Sequence, residues 1–188
     1  METSKYFSEY FETIASTLGS IEASRLEKAA DKIWQCSQAG KKVMVVGNGG
    51  SAAMASHVAV DLTKAAGVRA VAFNDADLLT CFANDYGYEE WVVEALNAYA
   101  DAGDVAILIS SSGTSQNIVR GALRAKHMGL GTITLSGFSE NNDLRDKGDV
   151  NFWLDSTSYN IVEMTHHVWL VAIVDYLIDV HSNCKGEK

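Results

Sequence analysis

From residue 41 onward the chain alternates between short β-rich runs and longer helical stretches, and this alternation constrains the fold more than any single residue does. The β-rich runs are KKVMVVGN (41–48), RAVAFN (69–74), VAILIS (105–110), GTITLS (131–136) and VNFWLD (150–155). Between them, GGSAAMASHVAVDLTKAA and SQNIVRGALRAKHMG place apolar residues three and four apart, as amphipathic helices do. DADLLTCFANDYGYEEWVVEALNAYA predicts one or two helices around a turn at Asn84–Gly87, and the last helix is expected from about Tyr159 to His181. The unbroken apolar character of VAILIS marks a strand buried on both faces. Strands separated by helices imply crossover connections and a parallel sheet. The expected architecture is a single α/β domain over residues 1–188: a flavodoxin-like, three-layer αβα sandwich with a five-stranded parallel sheet. Residues 41–182 form its core. The helices predicted at 5–14 and 23–36, within an N-terminal pair at 1–38, lie outside the alternation and need an apolar partner, for which another subunit is natural. The longest loop, 137–149, is expected to contain a short helix.

Composition narrows the classes. With 47% hydrophobic and 21% charged residues the 188-residue chain has globular usage, not that of a disordered one. Its 15 Lys+Arg against 24 Asp+Glu give a net charge of −9, which excludes a nucleic-acid binder that must neutralise several phosphates. Cys36, Cys81 and Cys184 show no CxxC spacing and are expected to be reduced thiols. The first residues lack the basic start and apolar core of a signal peptide. IVEMTHHVWLVAIVDYLI is interrupted by Glu163, His166, His167 and Asp175. No membrane span is expected, and a cytoplasmic location is.

In parallel α/β sheets ligands sit beyond the carboxyl ends of the strands, and two loops there suit an anion. Gly47-Asn48-Gly49-Gly50-Ser51 follows the first strand, and its glycines expose backbone N–H groups where a helix begins. Ser110-Ser111-Ser112-Gly113-Thr114-Ser115 follows the third, and its hydroxyls and amides can surround phosphate oxygens without a cation. Either loop alone is compatible with an ordinary turn and helix cap; two at strand ends of one sheet favour a ligand. No Lys follows the glycines and no GxGxxG appears, so no nucleotide cofactor is expected.

Two side-chain pairs carry acid–base or metal chemistry. His57 and Asp61 are four residues apart on one predicted helix, and Glu163 and His167 are four apart on the last, with His166 beside them. Carboxylate and imidazole at these spacings can bind zinc or act as general acid and base.

GNGGSAAMASHVAVDL, ANDYGYEE, ISSSGTSQNIV and the helix beginning near VEMTHH resemble the SIS (sugar isomerase) domain family, and within it the phosphoheptose isomerases. The resemblance spans nearly the whole chain. It implies a homotetramer with active sites shared between subunits, and a phosphorylated sugar as ligand. By position it places Asn48, Ser51, Ser110, Ser112 and Ser115 on the phosphosugar, with Asn84 and Asp85 near the sugar. It implies conversion of sedoheptulose 7-phosphate to D-glycero-D-manno-heptose 7-phosphate through an enediolate, supplying lipopolysaccharide. Asp61 would be the base, His167 or else His166 the complementary acid, and His57 a support. Zinc, if held, would take His57, Asp61, Glu163 and His167. The chain also departs from the family pattern: Asp61 stands where the family has Glu, Glu163 where it has Gln, Val171 where it has a second functional His, and Asn160 where it has Asp. These departures leave two alternatives: a non-catalytic SIS module that binds a phosphosugar or a protein, and an isomerase of a different phosphosugar.

Overall fold

The computed structural model describes residues 3–185, with side chains through residue 180. In chain order the elements are α1 (Thr3–Leu18), α2 (Ala23–Gln38), β1 (Val43–Gly47), α3 (Gly50–Lys64), β2 (Ala70–Ala72), α4 (Ala76–Tyr86), α5 (Trp91–Tyr99), β3 (Val105–Ser110), α6 (Gln116–His127), β4 (Gly131–Ser136), β5 (Val150–Trp153) and α7 (Tyr159–Lys185). The five strands form one sheet, all pairs parallel, in the order β2-β1-β3-β4-β5. That is the expected flavodoxin-like order. His181 and Cys184 carry side chains outside the described residues.

Alternation within the strands builds the three layers. Val43, Val45, Ile107, Ile109, Ile133 and Leu135 point into a core with α2, α3 and α7. Their neighbours Met44, Val46, Ala106 and Leu108 point the other way, onto α5 and α6. Because successive strand side chains face opposite sides, continuous apolar runs can feed both cores. Trp91 and Trp169 are buried in the second and first core respectively. Trp153 lies under the Arg145 guanidinium, 4.1 Å from its ring centroid.

Several expectations change. The N-terminal helices part company: α2 buries Ala29, Ala30, Ile33 and Cys36 in the chain's own core, whereas α1 buries no residue fully. α1 turns Tyr10 and Ile14 toward that core and leaves Tyr6, Phe7 and Phe11 exposed. The loop 137–149 contains turns and bends but no helix. Asn142 is the reason: its amide Nδ2 donates to Ser136 Oγ and to the carbonyls of Gly137 and Ser139, so a side chain organises the loop. At the surface Glu89 and Glu90 both pair with Arg120 on α6. The stretch Tyr159–Val180 is long and apolar enough to cross a membrane, contrary to the sequence expectation, but half of it is buried inside the fold. Ile161, Val162, Thr165, His166, Trp169, Leu170, Ile173, Val174 and Leu177 form that buried stripe, the pattern of a core helix.

Candidate active site

The sheet order reverses between β1 and β3, whose carboxyl ends are neighbours in register at Gly47 and Ile109. The two candidate loops leave the sheet there, side by side. They enclose a cavity of about 100 Å³, lined by Asn48 and Ser51 from the first loop, Ser110, Ser111, Ser112 and Ser115 from the second, and Tyr159 and Glu163 from α7.

The second loop is a hydroxyl cradle. Ser110 Oγ donates to Ser115 Oγ at 3.1 Å, and Ser112 Oγ meets Thr114 Oγ1 at 3.0 Å. Gly113 holds φ +69° against Asn142, where a Cβ would overlap that amide; only glycine fits such a turn without strain. Ser111 is nine-tenths buried with its hydroxyl unpartnered, and an unsatisfied buried hydroxyl is costly unless a ligand completes it. Among the described residues no lysine, arginine or histidine lines the cavity.

The first loop is braced by residues the sequence reading did not single out. Asn48 and Asn117 exchange reciprocal amide bonds at 3.0 and 2.9 Å, and Tyr88 Oη reaches Asn48 Oδ1 at 3.1 Å. Asn117 lies in SQNIV directly after the serine loop, and Tyr88 in YGYEE. Both segments were visible, but neither residue type announces a long-range bond. Tyr159, which also lines the cavity, packs edge-on against Phe138, whose φ of 58° is unusual for a non-glycine residue.

α3 and α7 lie side by side, and their shared seam collects the titratable residues. At its upper end Glu163 presses its carboxylate against α3's first turn, and a Cβ at Gly50 would overlap Glu163 Oε2. Lower on the seam, His57 Nε2 lies 3.0 Å from Asp61 Oδ2, and His57 Nδ1 lies 2.8 Å from His167 Nε2. Three of the predicted residues therefore form one line, Asp61–His57–His167. Burial, and then the neighbouring His57, hold the His167 pKa below 6.5 against the opposing pull of Asp61. The line is open, with the side chains of His57 and Asp61 52% and 37% exposed. His166 is elsewhere: fully buried, its Nε2 is 3.0 Å from the Ser136 carbonyl.

These positions bear on the zinc set. Two imidazole nitrogens on one tetrahedral zinc stand about 3.3 Å apart and aim at the ion. Here both His57 nitrogens are bonded, one to Asp61 and one to His167, while Glu163 sits against Gly50. Among the described residues no group of three or more His, Cys, Asp or Glu is placed to hold a metal ion, so the four expected ligands do not fit zinc as they stand. Asn84 and Asp85 also lie apart from the cavity: both are exposed on α4, Asn84 Nδ2 donating to Asp85 Oδ1 at 2.9 Å. Val171 packs against the core.

Residues 7–137 match the SIS domain. The phosphoheptose isomerase of Fusobacterium nucleatum subsp. nucleatum is 33% identical over 159 residues, covering 82% of this chain and 81% of that protein. That of Thermodesulfovibrio yellowstonii is 32% identical over 175 residues, covering 88% and 87%. The solved structure of phosphoheptose isomerase from Neisseria gonorrhoeae superposes with a TM-score of 0.83 at 28% identity, covering 93% and 96%. With the sheet order, the paired loops and these likenesses in agreement, the chain belongs to the SIS domain family.

Proposed function

We propose that the protein is an aldose–ketose isomerase of a phosphorylated sugar, acting on sedoheptulose 7-phosphate to give D-glycero-D-manno-heptose 7-phosphate. The observation that carries this reading is the Asp61–His57–His167 line on the α3–α7 seam, whose upper end at Glu163 lines the cavity with the serine cradle. Gly50 and His57 are seven positions apart on α3, about 10 Å at 1.5 Å per residue. A phosphate in the cradle therefore leaves the far end of an extended sugar near the histidines.

The bonding assigns the protons. A carboxylate only accepts, so His57 Nε2 carries the hydrogen toward Asp61, and His57 Nδ1 must accept from His167 Nε2. His167 Nδ1 is left with its lone pair free, and its lowered pKa keeps it neutral near pH 7. In this reading His167 Nδ1 removes the proton beside the carbonyl and returns it to the adjacent carbon. Asp61, acting through His57, steadies the imidazolium formed in between. Cradle hydroxyls and the Asn48 amide hold the phosphate and fix the chain's direction. No step needs a metal. The exposed row Tyr6, Phe7 and Phe11 on α1 supports assembly of several copies, and we take the tetramer as part of the reading; light scattering on the purified protein measures it. Incubation with sedoheptulose 7-phosphate and NMR analysis of the product tests the activity. His167→Gln should lower kcat by about 10²-fold or more, and unchanged turnover in that variant would refute the assignment.

A further inference from the structure

Glu163 contradicts the plain picture of an anion pocket. Its carboxylate lines the same cavity of about 100 Å³ as the serine cradle, with no cationic side chain on the lining. Gly50 admits it against the first turn of α3, where the helix N-terminus favours a negative group. One of the two helix starts that could have received a phosphate thus already carries the chain's own carboxylate. The Ser110–Ser115 loop is left as the phosphate cradle, and the buried, unpartnered Ser111 hydroxyl there is an independent sign of a ligand. A phosphate beside Glu163 meets like charge in a confined space. A carboxylate accepts hydrogen bonds and donates none, so only a ligand that presents a donor next to its phosphate can satisfy it.

We propose that Glu163 makes this site selective for phosphate esters that carry a hydroxyl on the carbon adjacent to the phosphate-bearing carbon over esters that lack it. The proposal rests on the phosphosugar reading above and adds to it a specificity-determining residue. A site built to hydrogen-bond a ligand hydroxyl rejects analogues lacking it, because its own polar group is then left unpaired.

The test compares two probes by calorimetric or NMR-detected binding: sn-glycerol 3-phosphate, which has the adjacent hydroxyl, and n-propyl phosphate, which lacks it. The natural protein should bind glycerol 3-phosphate about tenfold tighter than propyl phosphate. Glu163→Gln keeps an acceptor oxygen and should retain part of the preference. Glu163→Ala removes the acceptor and should abolish the preference between the two esters. An ester preference that survives in Glu163→Ala, or that is absent from the natural protein while both esters bind, would overturn the proposal while leaving the phosphosugar reading intact. If no probe binds the natural protein, or Ser112→Ala leaves their affinities unchanged, the phosphosugar reading itself fails and this proposal fails with it.

Discussion

His57 Nδ1 and His167 Nε2 meet at 2.8 Å between α3 and α7, with their rings nearly perpendicular at 89°. With Asp61 at the other nitrogen of His57, the three side chains act as a unit, and the effects of altering them should not add. Asp61→Asn, His57→Gln and His167→Gln should each lower kcat by about 10²-fold or more, with KM changed little. The double variant Asp61→Asn/His167→Gln should be no worse than His167→Gln alone. A double variant showing the product of the two single losses would mean that Asp61 works independently of His167.

The relay also predicts indifference to chelation. Because His57 spends both nitrogens on side chains and Glu163 stands apart, exhaustive treatment with a chelator should leave turnover within about twofold, since no ligand set is being emptied. A large loss reversed by zinc would show that these side chains rearrange to bind it.

Tyr88 should matter more to binding than to chemistry. Its hydroxyl holds the Asn48 amide at the cavity wall, and a neutral hydrogen bond contributes about 1 kcal/mol. Tyr88→Phe should raise KM about fivefold, in keeping with that energy, and hardly change kcat. A fall in kcat alone would place Tyr88 in the chemistry instead.

The architecture was largely legible because it is written in local patterns. VAILIS and GTITLS occupy β3 and β4 over the residues expected, since an unbroken apolar run and an alternating β-branched run both favour a strand. The break before α5 falls where Gly87 takes φ +94°. The site was legible as candidate residue types at strand ends and at four-residue spacing, but not as partnerships. The bond between His57 and His167 joins residues 110 positions apart, and helix periodicity says nothing about which side chain of α7 meets α3. The same limit hid Asn117 and Tyr88, and it hid the seat of Glu163, which depends on the missing side chain of Gly50. Asn142 shows the limit in the loop 137–149, where side-chain bonds to carbonyls replaced the expected helical turn.

His166 gives the fold a pH dependence separate from catalysis. Burial pushes its pKa from 6.5 to about 4, opposed only by its bond to the Ser136 carbonyl. As pH falls from 6.5 toward 4, the unfolded chain takes up a proton that the folded chain refuses, so stability is lost over that window. The loss from this group approaches about 3 kcal/mol at the acid end. Urea unfolding between pH 7 and 4.5 should show a shallower decline for His166→Phe than for the natural protein. Parallel declines would place the acid sensitivity elsewhere.

The proton transfer proposed for His167 and its relay links two carbons of a phosphosugar. The most direct measurement is incubation of chelator-treated protein with sedoheptulose 7-phosphate in D2O, followed by NMR. D-glycero-D-manno-heptose 7-phosphate should form with deuterium at the carbon beside the carbonyl, and both signals should be lost in His167→Gln. No product and no deuterium uptake, under conditions where the sugar phosphate is shown to bind, would contradict that transfer.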